Sequence, residues 1–115
     1  MATRRSKSAI QLDPEAMRAH AADAARLLRA LANDKRLMLL CLLFGGECSV
    51  GELNARVDLS QSALSQHLAV LRNDGLVTTR REGQTILYAL ADGPAQRVIE
   101  TLHGIYCGAV PTCAA

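Results

Sequence analysis

Tryptophan is absent, and two tyrosines and one phenylalanine are the only aromatic residues among 115. A core built without them rests on Leu, Ala, Val and Ile, which suits helices and argues against a β-sandwich. No apolar run is long enough to span a bilayer. The most apolar stretch, Leu37 to Phe44, falls far short of the ~20 residues required. A secretory leader is missing too, because Gln11, Asp13 and Glu15 follow the basic residues Arg4 to Lys7 where an apolar segment would have to stand. The chain therefore reads as cytoplasmic and without membrane contact. In that compartment Cys41, Cys48, Cys107 and Cys113 rest as thiols, not as a disulfide framework. There is no Cys-x-x-Cys pair, no nucleophile in a glycine loop and no cluster of acid and base, so a thiol enzyme or other catalyst is not expected. Net charge is also low, at +2, and by itself indicates no partner.

The distribution of charge says more. Arg4, Arg5 and Lys7 lie in a polar leader, Arg80 and Arg81 lie together, and beyond them only Arg97 is basic. A chain of this length is one domain. Residues 1–12 read as a disordered basic leader, 13–107 as the folded unit and 108–115 as a flexible tail carrying Pro111 and Cys113. Asp13 before Pro14 is a helix start, and Met17, Ala21, Ala24, Leu27, Leu28 and Leu31 give that helix an apolar stripe. Asn33 or Asp34 caps a second helix ending at Gly45-Gly46. In it Leu37, Leu40, Cys41 and Phe44 recur at helical spacing, while Leu39, Leu42 and Leu43 fill other faces, so it is central or packed on a partner. Ser49 and Glu52 form a capping box for a third helix ending near Val57, and Cys48 falls in an exposed turn before it. Ser60 caps a fourth helix with Leu64, Leu68 and Leu71 inward, stopped by Asn73-Asp74-Gly75. Leu76–Arg80 and Thr85–Leu90 read as two strands folded over Glu82-Gly83. Gly93-Pro94 precedes a last helix, roughly Ala95 to Tyr106, striped by Val98, Ile99, Leu102, Ile105 and Tyr106.

Helix, turn, helix and basic hairpin, in that order, make a mainly α fold with a β-hairpin wing: a winged helix-turn-helix. Its partner is double-stranded DNA. On the fourth helix, Gln61, Ser62, Ser65, Gln66 and Ala69 oppose the leucines. Small residues let the backbone approach base edges, and Gln pairs bidentately with adenine. Ser60 leaves free N–H groups at the helix start for a phosphate oxygen. Arg80 and Arg81, placed at the hairpin tip, would meet the phosphate backbone or minor groove. His67 falls between the inward and outward faces, where edge packing competes with base contact. One winged unit binds weakly, so a homodimer joined through the first and last helices is expected.

Leu31-Ala-Asn-Asp-Lys-Arg-Leu, Ser49-Val-Gly-Glu-Leu, Ser60-Gln-Ser-Ala-Leu-Ser-Gln-His-Leu-Ala-Val-Leu, Gly75-Leu-Val and Arg80-Arg-Glu-Gly-Gln resemble the ArsR/SmtB family of bacterial repressors. The resemblance covers about Asp13 to Cys107 and implies a homodimeric repressor that leaves its operator when an inducer acts. The family's metal-sensing branches carry Cys where this chain has Ser49, and Asp followed by His where it has Asp92-Gly93. Their later ligand positions fall here on Ile105 and Gly108. The BigR/SqrR-type branch, which senses persulfide and other reactive sulfur, carries one cysteine in the second helix and one near the end of the last. Cys41 and Cys107 match that pair, and the resemblance implies that they are the redox-sensing thiols, with a persulfide or polysulfide as inducer.

By residue type alone, Cys41 inside a leucine run is most simply a small buried hydrophobe. Cys48 and Cys113 read as bystanders. His103 and Cys107, four residues apart with Glu100 on the same side, are either half of a metal site or part of a solvated face. No resident cofactor or metal is expected. The alternatives that stay open are a metal- or metalloid-responsive repressor, a general thiol-oxidation sensor and a winged module that binds protein.

Overall fold

A computed structural model describes residues 10–108. Residues 1–9 of the expected leader and residues 109–115 of the expected tail, Cys113 included, lie outside the described residues. Five helices and three strands follow in the order α1 (Pro14–Leu31), α2 (Asp34–Phe44), β1 (Cys48–Ser49), α3 (Val50–Arg56), α4 (Gln61–Asn73), β2 (Val77–Glu82), β3 (Thr85–Leu90) and α5 (Pro94–Cys107). The strands form one antiparallel sheet ordered β1-β3-β2.

Four of the helices begin where a side chain satisfies orphan N–H groups. Asp13 accepts from the Glu15 N–H at 3.0 Å, with Pro14 in the first turn. Asn33 accepts from the Lys35 and Arg36 N–H groups at 2.9 and 3.1 Å, so it, and not Asp34, is the cap of α2. Ser49 and Glu52 exchange both bonds of a capping box, 3.1 and 2.7 Å. Ser60 accepts from the Ala63 N–H at 3.1 Å. Helix α5 starts instead at Gly93, with Pro94 in its first turn and no side-chain cap.

The core consists of leucines from the middle of the chain. Leu39 and Leu40 of α2, Leu53 of α3, and Leu64, Leu68 and Leu71 of α4 are fully buried, joined by Leu43, Leu76, Val77, Ala95 and Ile99. Burying one such leucine is worth ~1.5–3 kcal/mol, so the inner face of α4 contributes much of what holds it. Helix α2 turns a different face inward from the one its spacing indicated. Leu39, Leu40 and Leu43 are buried, whereas Cys41 and Phe44 are exposed together with Met38. With leucine on every side, periodicity could not choose the buried face; packing against α4 and α5 does.

Two further corrections concern the sheet. Cys48 is not in an exposed turn: it lies partly buried in β1, paired with Tyr88, while Ser49 pairs with Leu87. A two-residue strand has no alternation to betray it, and its second residue doubles as the cap of α3. Strand β2 also runs two residues beyond Arg80, to Glu82, and the turn is Gly83-Gln84. Gly83 takes the left-handed conformation there, φ +64°.

The junction between α4 and β2 is closed. Gly75, at φ +75°, lets its N–H reach the Arg72 carbonyl at 3.0 Å and the Leu76 N–H reach the Leu71 carbonyl at 2.9 Å. Those two bonds are the Schellman motif, completed by burial of both Leu71 and Leu76. The Ala91 N–H returns to the Leu76 carbonyl at 3.0 Å, so the hairpin's far end is tied to the same residue.

Helix α1 contrasts with this order. Its first turns, Pro14 to Ala22, are exposed throughout, and only Ala30 and Leu31 are buried. Its expected stripe is covered only at its end: Leu31 is buried and Leu27 half-buried, while Met17 and Leu28 are 56% and 58% exposed. The radius of gyration, 16.9 Å, exceeds the ~13 Å of a compact chain about this long.

Candidate nucleic-acid interface and thiol pair

The turn between α3 and α4 is set by Asn54, whose side-chain amide donates to the Leu59 carbonyl at 2.9 Å. Beyond it, the outer face of α4 presents Gln61, Ser62, Ser65, Gln66 and Ala69, all exposed, opposite Leu64, Leu68 and Leu71. Among the described residues, the side chains of Gln61, Ser65 and Gln66 make no hydrogen bond within the chain, so their donors and acceptors face outward unspent. Ser60 differs, since its hydroxyl oxygen is engaged by the Ala63 N–H and lies 3.5 Å from the Ser62 hydroxyl. It orders the start of the helix. His67 is half-buried, with Nδ1 3.4 Å from Arg36 Nη1.

The two arginines of the hairpin part company. They do not stand at its tip: Arg80 pairs with Leu87 and Arg81 with Ile86, inside the strands. Alternation puts their side chains on opposite faces. Arg80 grips Glu47, in the link between α2 and β1, through Nε at 2.7 Å and Nη2 at 2.9 Å, and its Nη1 lies 3.7 Å from Glu82. The hydrogen bond from Arg80 holds the Glu47 carboxyl below the usual carboxylate range, and the same bond raises Arg80 further. Arg81 is exposed and has no ion pair among the described residues. The wing's uncommitted cation is therefore Arg81. Sequence reasoning missed Glu47, whose partner lies 33 residues away and leaves no local signal, and Asn54, which bonds a backbone carbonyl five residues on.

Cys41 and Cys107 are both exposed free thiols, on α2 and on the last residue of α5, and these two helices pack on each other. Cys48 is less available. Burial raises its thiol above the ordinary range, the Glu52 charge adds to this, and Arg56 partly offsets it. Its Sγ lies 3.7 Å from the Gly46 carbonyl. His103, Glu100 and Cys107 are all exposed on α5, and the described residues contain no group of three or more His, Cys, Asp or Glu arranged to hold a metal ion. On α5, Ile105 and Tyr106 are 64% and 82% exposed, a second uncovered apolar surface besides that of α1. No helix of the described residues is long and apolar enough to cross a membrane.

An outward amide-and-hydroxyl face on the second helix of a helix-turn-helix, with a basic hairpin locked behind it, defines a winged-helix DNA-binding regulator. The chain belongs to the bacterial regulatory protein arsR family, whose model matches residues 33–79. It is similar to the transcriptional activator HlyU of Vibrio cholerae, with 55% identity over 93 residues, 81% of this chain and 86% of that protein. The structure of reduced HlyU from the same organism superposes with a TM-score of 0.76 at 54% identity, covering 81% of this chain and 98% of that one. The transcriptional repressor BigR from Xylella fastidiosa gives 0.78 at 42% identity, covering 84% and 98%. A homodimeric winged helix-turn-helix DNA-binding domain from Mycobacterium bovis gives 0.69 at 33%, covering 85% and 89%. The chain is a transcriptional regulator, not an enzyme.

Proposed function

We propose that the chain is a homodimeric repressor that occupies operator DNA through α4 and the wing, and that reactive sulfur releases it by joining Cys41 to Cys107. Gln61, Ser62, Ser65 and Gln66 read base edges in the major groove. Arg81 meets the phosphate backbone or minor groove, and Ser60 and His67 hold the reading helix in shape. The uncovered residues of the α1 and α5 stripes are the dimer surface, in keeping with the homodimeric Mycobacterium bovis neighbour. Similar proteins are described as activator and as repressor. Repression is the simpler of the two, because occupying the operator suffices for it.

One observation carries the thiol part: two exposed thiols sit on two helices that pack together in one subunit. The HlyU structure that superposes on this chain is that of the reduced protein. The chemistry balances without an outside oxidant. One cysteine thiolate attacks the sulfane sulfur of a persulfide RSSH and releases RSH, giving Cys–S–SH. The second thiolate attacks the inner sulfur of that group and releases hydrogen sulfide, leaving Cys–S–S–Cys. If Cys–S–SH is formed on both residues, loss of one molecule of hydrogen sulfide leaves a trisulfide. A direct disulfide needs Cα atoms ~4.4–6.8 Å apart, and a wider pair takes the longer bridge.

The test is incubation with glutathione persulfide, followed by intact mass and operator binding. A Cys41–Cys107 link, with or without added sulfur, and loss of binding support the reading. Cys41→Ser and Cys107→Ser should keep DNA binding and lose the response. A full response in both variants, or release by zinc or arsenite without covalent change, would sink it.

A further inference from the structure

Arg36, half-buried in the first turn of α2, touches three helices at once. Its Nε donates to the Ala30 carbonyl at 2.6 Å and its Nη2 to the Arg29 carbonyl at 3.2 Å, closing the C-terminal end of α1. Its Nη1 lies 3.4 Å from Nδ1 of His67 on α4. A guanidinium only donates, so this contact requires Nδ1 of His67 to be the acceptor. Among the described residues this is the only side-chain hydrogen bond joining α2 to α4. The remaining joint between these helices is leucine packing, which tolerates small slides. A hydrogen bond weakens steeply with misalignment, and this one is already long.

Cys41 lies five residues further along the same helix, ~7.5 Å by helical rise. Drawing Cys41 toward α5 moves α2 as a rigid rod. Its other end is pinned to the α1 carbonyls by two bonds, and the leg to His67 is the weak one. We propose that Arg36 is the positioning residue that couples α2 to the reading helix: it holds His67, and with it α4, in the DNA-reading pose, and releases it when α2 shifts. This rests on the thiol switch proposed above and names the part of the fold that transmits it.

The experiment compares operator affinity of the full-length protein before and after glutathione persulfide. The wild type should lose about 5–150-fold, the usual span of such coupling. Arg36→Lys keeps the charge but not the fork, and His67→Phe keeps bulk but no acceptor. Both should bring the ratio close to one. His67→Asn puts an amide oxygen near the Nδ1 position and should restore it. Thermal midpoints are recorded alongside, since a merely structural role would move the midpoint and leave the ratio alone. An unchanged wild type overturns the thiol switch and this coupling together. A wild type that switches beside a His67→Phe that switches as strongly overturns the coupling alone. Independently of any variant's folding, imidazole nitrogen NMR of the reduced protein should show Nδ1 unprotonated, and a proton on Nδ1 refutes the contact.

Discussion

Glu47→Gln should make operator binding tighter and more sensitive to salt. In the wild type, Arg80 spends Nε and Nη2 on the Glu47 carboxylate and has Glu82 near its remaining nitrogen, so at the proposed DNA face its charge is largely neutralised. The amide keeps the shape of the side chain and removes the negative charge, leaving one more effective cation on the wing. Each phosphate neutralised contributes about 0.9 to the slope of log affinity against log salt. The variant's slope should therefore steepen by about 0.9. Across a roughly tenfold rise in salt, its affinity should then fall about 8-fold more than that of the wild type. Arg81→Ala should flatten the slope by about the same amount, and Arg80→Ala should barely change it. The sign with pH is definite. Arg80 depresses the Glu47 carboxyl, so the pair is intact above the usual carboxylate range and is lost only as pH falls through the lowered value. Between pH 6 and 8, roughly, Glu47 should thus contribute no pH dependence to binding. Fluorescence anisotropy with a labelled operator over a salt series reads all three variants. Equal slopes for Glu47→Gln and wild type would refute the assignment of Arg80 to an internal pair.

Three other outcomes can be checked directly. Ser60→Ala removes the cap of α4 and should cost about 1 kcal/mol in denaturant unfolding, with weaker operator binding because the reading helix frays at its first turn. Leu28→Glu combined with Tyr106→Glu charges both uncovered surfaces, and sedimentation should show a monomer that no longer holds a two-half-site operator. Cys48, with its thiol raised by burial, should be alkylated more slowly at about pH 7.5 than an unstructured cysteine peptide, and its rate should still be climbing above about pH 9; peptide mapping after iodoacetamide reads this.

What could be read in the sequence was mostly chemistry local to the chain. Asp13, Ser49 and Ser60 announce helix starts because a cap satisfies N–H groups two or three residues away, and Gly75 announces a stop for the same local reason. The inner face of α4 was legible because three leucines alternate cleanly with polar residues. The buried face of α2 was not, since seven of its eight residues from Leu37 to Phe44 are large and apolar and Cys41 is the eighth. Which of them meets solvent is decided by distant partners. The same holds for the wing. Arg80 and Arg81 are adjacent and identical in type, yet one is spent on Glu47, 33 residues earlier, and the other is free. No periodicity distinguishes them.

The three-residue junction at Asp74, Gly75 and Leu76 has a consequence for how DNA is let go. With Gly75 and Leu76 bonded back into the last turn of α4, and Ala91 fastened to Leu76, α4 and the hairpin are joined with no unbonded residue between them. If α4 and the wing are the DNA contacts proposed above, a half-site is gripped or dropped as a single event, and neither contact is graded separately. Inserting one flexible residue at this point would give the two grips independent lifetimes, and dissociation would become biphasic.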